Sequence, residues 1–329
     1  MRRKAVLLLI CCQLLVLAYM AGSREYIREF GQEISLRTAP VDPRDPFRGE
    51  FVRLRYGLSS VDPRDFRGEL PIKREQKGFP VYAVLKNTDQ DLYDLDYLSD
   101  TPPAQGVFLK GRLKDHWRNR SAAGMEVKYG IEQYFVEQGQ GRVIERQRGG
   151  RNDVQVPMEV QLAVAGDGTA IVKGFRWSPV GIKLEMLRFN RRGPDGKPEN
   201  PDQPLSPTLR ITLKNVSQQT ITLIDDGNHC AFELLTVSWA GKDYPLAKPC
   251  EPVINETALH VLAADQSYQV ELQMSDVRWH LLNENQSMEM GALPAPEMFR
   301  LRFRSPAPQR LAELTPEQQH NLWRGELPS

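Results

Sequence analysis

The sequence predicts a mainly β protein that starts with a transmembrane helix and continues as two β-rich domains. Residues 5–22 form an uncharged, mostly apolar run of 18 residues, and a helix of that length covers about 27 Å, close to the thickness of a bilayer's hydrocarbon core. The remaining chain consists of short segments in which apolar and polar residues alternate, separated by Gly, Pro and Asp, which is typical of strands and turns. With 329 residues, the chain is long enough for two domains. We predict a membrane anchor over 1–22, a juxtamembrane stalk over 23–33, and β-rich domains over 34–178 and 179–329.

The charges around the apolar run predict its orientation. Arg2, Arg3 and Lys4 precede the run, and because basic flanks stay in the cytoplasm, the bulk of the chain is expected outside it. Cleavage of a signal peptide needs small residues at two positions, and Ala21 and Ser23 fit that pattern only weakly. We therefore favour an uncleaved signal-anchor that contacts the membrane through residues 5–22, with a cleaved signal peptide as the alternative.

The composition disfavours several classes of function. The 43 basic and 42 acidic residues nearly cancel, which is not typical of a nucleic-acid-binding surface that depends on net charge. None of the five histidines is spaced from another as ligands on one helix or hairpin are, so no metal is predicted. The glycine pairs of the polar stretch 137–152 are not followed by the Lys-Ser/Thr of a phosphate-binding loop, and no cofactor is predicted.

The stretch from residue 38 to residue 56 combines a charged turn with a strand. Its prolines preset the backbone and its aspartates can accept hydrogen bonds from the backbone just ahead, which is turn chemistry. The segment Phe51–Tyr56 then alternates as a half-buried strand does, with Arg53 and Arg55 on the same face as Phe51. The predicted structural positions, of which the last three form the buried face, are Gly49, Val52, Leu54 and Tyr56. The charged residues of the turn form either a self-neutralising turn or a recognition loop, and the candidate binding residues are Asp42, Arg44, Asp45, Arg48 and Glu50.

The segment Gly49-Glu50-Phe51-Val52-Arg53-Leu54-Arg55-Tyr56 resembles the motif of the GDYxxLxY family of membrane-anchored bacterial proteins. Gly49, Leu54 and Tyr56 match the motif, whereas Glu50 and Phe51 replace its Asp and Tyr. The segments 40–45 and 129–136 also look like that family, and the resemblance covers roughly residues 1–175. It implies a single-pass protein of the bacterial inner membrane with its bulk in the periplasm. Because the function of the family is unknown, the resemblance implies no catalytic role for any residue.

The second domain is expected to be an antiparallel sandwich. Short alternating strands recur at regular spacing, and the segment 209–217 resembles a strand of an immunoglobulin-like β-sandwich, a fold that implies no function. The proline-rich stretch 191–206 is expected to be a loop. Thr315 and Gln318 fit a capping box with Pro316 at the first helical position, so a short helix is expected near the C-terminus. The predicted strands are 182–189, 209–215, 219–224, 232–240, 259–262, 268–274 and 298–303.

Two cysteines lie outside the apolar run. Cys230 and Cys250 are predicted to form a disulfide, because an even pair in an exported domain meets an oxidising compartment in which the bridge persists. The alternative is two buried free thiols. The pairing requires the two Cα atoms to lie within about 7 Å of each other.

The sequence shows no catalytic machinery of a recognisable kind. In signal-peptidase-like enzymes a serine precedes the Gly-Asp pair by eight or nine residues, but here Pro40 and Val41 occupy those positions and Ser35 is too far upstream. The acidic stretch 89–97, with Tyr93 and Tyr97, is expected to be a solvated loop rather than a sugar-binding or hydrolytic cleft. We therefore expect a non-catalytic binding or scaffolding protein with another envelope protein as partner. The alternative is an envelope hydrolase whose site is assembled from residues distant in sequence.

Overall fold

The computed structural model describes residues 2–41, 51–61, 65–68, 78–89, 91–114, 125–150, 153–188, 190, 197–198, 200–202, 205–234, 237–239, 242–244, 246, 250, 252–283, 286–292, 301–306, 308–311 and 314–328. The fold is mainly β, as the sequence predicts. The chain divides into two compact units, of which the first comprises residues 1–145 and 158–176 and the second residues 146–157 and 177–329. The helices are α1 (Arg2–Phe30), α2 (Gln140–Arg148), α3 (Pro308–Leu311) and α4 (Pro316–His320).

The N-terminal helix α1 includes both the predicted anchor and most of the predicted stalk. Its segment Val6–Phe30 has a mean hydropathy of 2.2 over its most apolar window and none of that window is buried, so its length and composition suit a membrane anchor or a signal sequence. The helix ends at Phe30, and the N–H of the next residue, Gly31, donates to the carbonyl of Ile27 at 2.8 Å. A Cβ atom at Gly31 would lie 2.4 Å from that carbonyl oxygen, so only glycine fits where the chain passes from helix to strand.

The first eleven strands form one sheet. Their bounds are β1 (Gln32–Val41), β2 (Phe51–Tyr56), β3 (Ser60–Val61), β4 (Phe66–Arg67), β5 (Pro80–Asp89), β6 (Leu92–Ser99), β7 (Val107–Leu113), β8 (Met125–Lys128), β9 (Gln133–Phe135), β10 (Met158–Val164) and β11 (Ala170–Trp177). Strand order along the main path is β11-β10-β1-β6-β5-β7-β8-β3, with β2 paired to β1 and β9 and with β4 paired to β6. β1 is central, because it pairs antiparallel with β10 and β2 and parallel with β6.

Two predictions about the first unit are wrong. The segment 89–97 was expected to be a loop, but most of it lies in strand β6, in which Leu92 and Leu98 are buried while Asp94 and Asp96 face solvent. Its acidic residues suggest a solvated segment, although they lie in the middle of a strand whose two ends are buried. The alternation of apolar and polar residues over 125–136 predicts one strand, but the turn before Glu132 divides that segment into β8 and β9, and the positive φ of 84° at Gly130 suits a glycine there.

The second unit contains several small antiparallel sheets around one apolar core. The strands are β12 (Val180–Arg188), β13 (Thr208–Asn215), β14 (Ile221–Ile224), β15 (Phe232–Leu234), β16 (Val237–Trp239), β17 (Lys242–Tyr244), β18 (Leu259–Leu262), β19 (Ser267–Gln273), β20 (Leu281–Asn283), β21 (Gln286–Met288), β22 (Leu301–Arg304) and β23 (Glu326–Pro328). Two three-stranded sheets, β12-β13-β19 and β15-β22-β23, contribute residues to the same core cluster, for example Ile211 and Phe303. The segment 232–240 was expected to be one strand, but β15 pairs with β22 and β16 pairs with β17. The immunoglobulin-like topology stays a prediction.

Two local predictions in the second unit are confirmed. Thr315 Oγ1 accepts from the Gln318 N–H at 3.3 Å and Gln318 Oε1 accepts from the Thr315 N–H at 2.9 Å, which is the capping box at the start of α4. Cys230 and Cys250 form a disulfide with their Cα atoms 5.3 Å apart. The bridge spans 20 residues in sequence, and a closed loop of that size adds about 3 kcal/mol of stability by the chain-entropy model.

Candidate functional site

The motif strand β2 buries the face that its sequence predicts. Val52, Leu54 and Tyr56 are each 2% exposed, whereas Arg53 and Arg55 are exposed. Phe51 does not behave as predicted, because it is only 7% exposed although it was expected on the arginine face. The ring of Phe135, which is opposite Phe51 in strand β9, lies 6.0 Å from the Phe51 ring and covers it.

Two tyrosine hydroxyls join the motif strand to the segment after β8. The Tyr56 hydroxyl donates to the carbonyl of Ile131 at 2.8 Å, and the Tyr129 hydroxyl donates to the carbonyl of Leu58 at 2.9 Å. The partners are 75 and 71 residues apart in sequence, so the two bonds form a reciprocal brace between the two motif-like segments. Burial raises the pKa of both tyrosines, and the charge of Glu132 raises the pKa further, so both hydroxyls keep their protons and remain donors.

Glu132 completes this brace through its carboxylate and its main chain. Its carboxylate accepts from the N–H of Tyr129 and, at 3.0 Å, from the N–H of Gly130, while its carbonyl accepts from the N–H of Leu54 at 2.9 Å. The carboxylate therefore fixes the turn that divides β8 from β9. We conclude that the polar groups of this brace act as structural links within the first unit.

The exposed side of the motif strand and its neighbour β9 forms a small surface of different character. Arg53 lies directly opposite Gln133, and Phe135 is 65% exposed. We call Arg53, Arg55, Gln133 and Phe135 the β2–β9 surface. It combines two cations, an amide and an aromatic ring on one face. The predicted binding residues Asp42, Arg44, Asp45, Arg48 and Glu50, and with them Gly49, lie outside the described residues, so their role stays a prediction.

The comparison with protein-family models gives one match. Residues 13–175 match the model described as GDYXXLXY protein. The chain belongs to the GDYXXLXY family through these residues. We call residues 13–175 the GDYXXLXY part. It includes most of helix α1 and nearly the whole eleven-stranded sheet, and with it the tyrosine brace. Searches of curated proteins and of solved structures found no match.

The acidic stretch of the GDYXXLXY part does not form a carboxylate cluster that suits acid–base chemistry. Asp91 makes a bidentate ion pair with Arg176, with distances of 2.9 and 2.7 Å, and accepts from the Ser35 hydroxyl at 2.7 Å. Arg176 also donates to the buried Glu159 at 2.8 Å. Burial tends to raise the pKa of Asp91, but the hydrogen bonds from Arg176 and Ser35 outweigh burial and lower it. These contacts link β1, β10 and β11 to the residue before β6, so we interpret them as structural.

A second polar cluster lies in the second unit, beyond the GDYXXLXY part. Its centre is Asp225, which is 1% exposed. Asp225 Oδ2 accepts from the Tyr268 hydroxyl at 2.8 Å and lies 2.8 Å from Nδ1 of His229. His260 Nε2 donates to the Asp225 carbonyl at 3.0 Å, and the His260 ring stacks on Tyr268 with centroids 4.0 Å apart. Among the described residues, none donates a hydrogen bond to Asp225 Oδ1.

The loop that carries this Asp225 cluster is held by its own neighbours. Asp226 accepts from the Cys230 N–H at 2.8 Å and from the Val253 N–H at 3.0 Å, so it links the loop to the disulfide. His229 has a positive φ of 55°, which is uncommon for a residue other than glycine and occurs often at functional sites. Arg278 donates to the Phe232 carbonyl at 2.6 Å; burial lowers its pKa while Asp225 and Asp226 oppose that effect.

The Asp225 cluster has the chemistry of an oriented histidine. A carboxylate accepts hydrogen bonds, so Nδ1 of His229 is the donor in its contact with Asp225, and Nε2 is the ring nitrogen that does not face Asp225. Sequence reasoning missed the cluster because His260 and Tyr268 follow Asp225 by 35 and 43 residues, and these spacings match no known motif. Within the described ranges, no group of three or more His, Cys, Asp and Glu side chains is arranged to hold a metal ion.

Proposed function

We propose that the protein is a membrane-tethered binding or scaffolding module of the bacterial cell envelope. In this proposal α1 crosses the inner membrane once with its N-terminus in the cytoplasm, and both β units lie in the periplasm. The partner is another envelope protein. No cofactor, metal or nucleic acid takes part.

The observation that carries the proposal is how the polar groups of the GDYXXLXY part are used. The hydroxyls of Tyr56 and Tyr129 and the carboxylate of Glu132 are taken up by hydrogen bonds within the first unit. A catalytic group must be able to reach a substrate, whereas these groups are buried or bound to the backbone. The side chains that remain accessible nearby, Arg53 and Phe135 among them, are of the kinds enriched at protein interfaces.

Two further observations support the compartment. The uncharged run in α1 has the length of a membrane span, and the basic residues that precede it favour a cytoplasmic N-terminus. The disulfide between Cys230 and Cys250 suits an oxidising compartment such as the periplasm.

The proposal is tested first by topology and then by partner capture. A reporter that is active only outside the cytoplasm, fused after residue 329, is expected to be active, and a cytoplasm-only reporter at the same place is expected to be silent. Crosslinking of the full chain in native membranes is then expected to recover the same envelope protein in repeated experiments. An active cytoplasmic reporter would refute the orientation, and crosslinking that recovers only the chain itself would refute the binding role.

A second candidate function is an envelope hydrolase, and the Asp225–His229 pair favours it. A buried carboxylate that orients a histidine is the arrangement by which enzymes present a general base to water or to a hydroxyl group. The discriminating experiment compares wild type with His229→Gln on an activated ester. Hydrolysis above that of free imidazole, lost in the variant, would favour the enzyme. Equal rates in both proteins would leave the binding role as the better account.

A further inference from the structure

We propose that the β2–β9 surface, formed by Arg53, Arg55, Gln133 and Phe135, binds an extended acidic segment of a partner protein. This inference rests on the proposed binding function and adds to it the site and the chemistry of the partner. It concerns exposed positions of the motif strand that the family motif leaves unspecified.

The motif strand has buried positions that the motif specifies and exposed positions that it leaves unspecified. In the motif GDYxxLxY the last two specified positions correspond here to Leu54 and Tyr56, and both are buried. Arg53 and Arg55 stand at unspecified positions and both are exposed. The fold therefore does not require arginine at either position, because neither side chain packs in the core. Two adjacent outward arginines are available for recognition by a partner.

The charge of Arg53 and Arg55 favours an acidic ligand. In the described part of the chain, neither Arg53 nor Arg55 makes an ion pair, whereas Arg37 on β1 and Arg176 on β11 of the same sheet both pair with Glu159. A guanidinium group offers several donors in a planar fork and binds carboxylates in a bidentate manner. Two such groups at alternate positions of one strand match carboxylates at alternate positions of an extended peptide, because both repeat every second residue.

The edge of β9 that faces away from β2 favours a protein segment as the ligand. Among the described strands, β9 pairs only with β2, so its other edge offers backbone N–H and C=O groups. An extended segment that adds there would gain main-chain hydrogen bonds, and Phe135 would supply apolar contact area beside the charged groups. This combination favours an acidic protein segment over a soluble anion, which would use only the charges.

The β2–β9 surface lies far along β1 from the membrane anchor. Arg55 and Arg53 pair with Ala39 and Val41, which are near the end of β1 that is remote from Gly31. At about 3.3 Å per residue, roughly 30 Å of strand separate this surface from the end of α1. Lipid head groups next to the anchor would therefore meet other parts of the sheet first. The geometry favours a protein partner over anionic lipid.

The test uses the full chain in detergent micelles and a short labelled peptide in which Glu alternates with Thr or Val. Binding is followed by fluorescence anisotropy. We expect the peptide to bind the wild type, a peptide with Gln in place of Glu to bind much more weakly, and salt to weaken binding. The variant Arg53→Thr/Arg55→Thr is expected to lower the affinity by about tenfold or more, since it removes both cations. Phosphatidylglycerol, added in a separate arm as mixed micelles with the same detergent, is not expected to displace the peptide.

The matched control is Lys86→Thr/Lys128→Thr. It removes the same charge from exposed positions on β5 and β8 of the same sheet, and it is expected to change the affinity by less than about twofold. Equal losses in the two double variants would show a non-specific charge effect and overturn the proposal. Unchanged binding in the arginine variant would also overturn it, because the two arginines would then contribute nothing to recognition of the peptide. Absence of peptide binding to the wild type, or displacement of the peptide by phosphatidylglycerol, would refute it as well.

The result is distinguishable from a failure of the proposed function itself. If crosslinking in native membranes recovers a partner with both wild type and Arg53→Thr/Arg55→Thr, the chain is a binding module that uses another surface. If neither protein recovers a partner, the binding role itself fails. Only a partner recovered with wild type and with the lysine control, but lost with the arginine variant, supports both.

Discussion

The hydroxyl of Tyr56 offers the sharpest test of the structure, because its removal changes one atom in a buried site. In Tyr56→Phe the ring stays and the carbonyl of Ile131 loses its donor at 2.8 Å. A buried acceptor left without a partner costs about 1–3 kcal/mol. We expect a loss of that size in the free energy of unfolding of the first unit, and a loss of the same size for Tyr129→Phe, which removes the matching bond to Leu58.

The two variants form a double-mutant cycle. Both bonds link the same two segments, so loss of one loosens the geometry of the other, and we expect a coupling of at least about 0.5 kcal/mol. The assay is urea unfolding of the full chain in detergent, with hydrogen exchange measured on peptides that cover 51–58 and 129–135, so that opening of this region is separated from opening of the second unit. Tyr93→Phe is the control, because Tyr93 makes no side-chain hydrogen bond within the described residues. Losses in both brace variants no larger than that of the control would show that the brace does not contribute to stability.

Three further predictions concern other parts of the molecule. Leu54→Ala is expected to lower the free energy of unfolding by about 2–4 kcal/mol, because it leaves a cavity at a position that is 2% exposed, and a loss below about 0.5 kcal/mol in denaturant unfolding would contradict the packing. The pKa of Asp91 is lowered in the folded state, so its contribution to stability is present above the unfolded pKa near 4 and is lost as the pH falls through the lowered value. Arg176→Gln is therefore expected to flatten the loss of stability in acid, as measured by urea unfolding between pH 2 and 6, and an unchanged pH profile would argue against the ion pair. Replacement of Cys230 and Cys250 by Ala is expected to cost about 3 kcal/mol. Because Cys11 and Cys12 are free thiols, the denatured, unreduced wild type is expected to show two reactive thiols, and four would refute the disulfide itself.

Local patterns in the sequence predicted local structure well. The alternation from Val52 to Tyr56, the capping box at Thr315 and the even pair of exported cysteines each depend on residues that are close in sequence or on a simple count, and all three are confirmed. The apolar run of α1 is of the same kind, because its length alone indicates a helix that suits a membrane or an export signal. In each case one physical rule operates on adjacent residues and needs no knowledge of the fold.

Errors arose where a distant partner changes the meaning of a segment. Strand β6 was mistaken for a loop because its acidic residues suggested a solvated face, yet pairing with β5 on one side and β1 on the other makes it an interior strand. Phe51 was assigned to the exposed face because the sequence does not show that Phe135 covers it. The Asp225 cluster was missed for the same reason: Tyr268 and His260 come from strands that carry no motif.

The tyrosine brace gives the motif strand a structural role in this chain. Tyr56 lies on the motif strand, whereas Tyr129 lies far along the chain. The Tyr56 hydroxyl bonds to the Ile131 carbonyl and the Tyr129 hydroxyl to the Leu58 carbonyl, so both segments must fold together. The specified residues that the structure describes, Phe51, Leu54 and Tyr56, are all buried, so this part of the motif contributes to the framework of the first unit. Activity or recognition then depends on what the framework displays. In our proposals the displayed groups are the outward positions Arg53 and Arg55 of the same strand and, for a hydrolase, the polar cluster at Asp225 in the second unit.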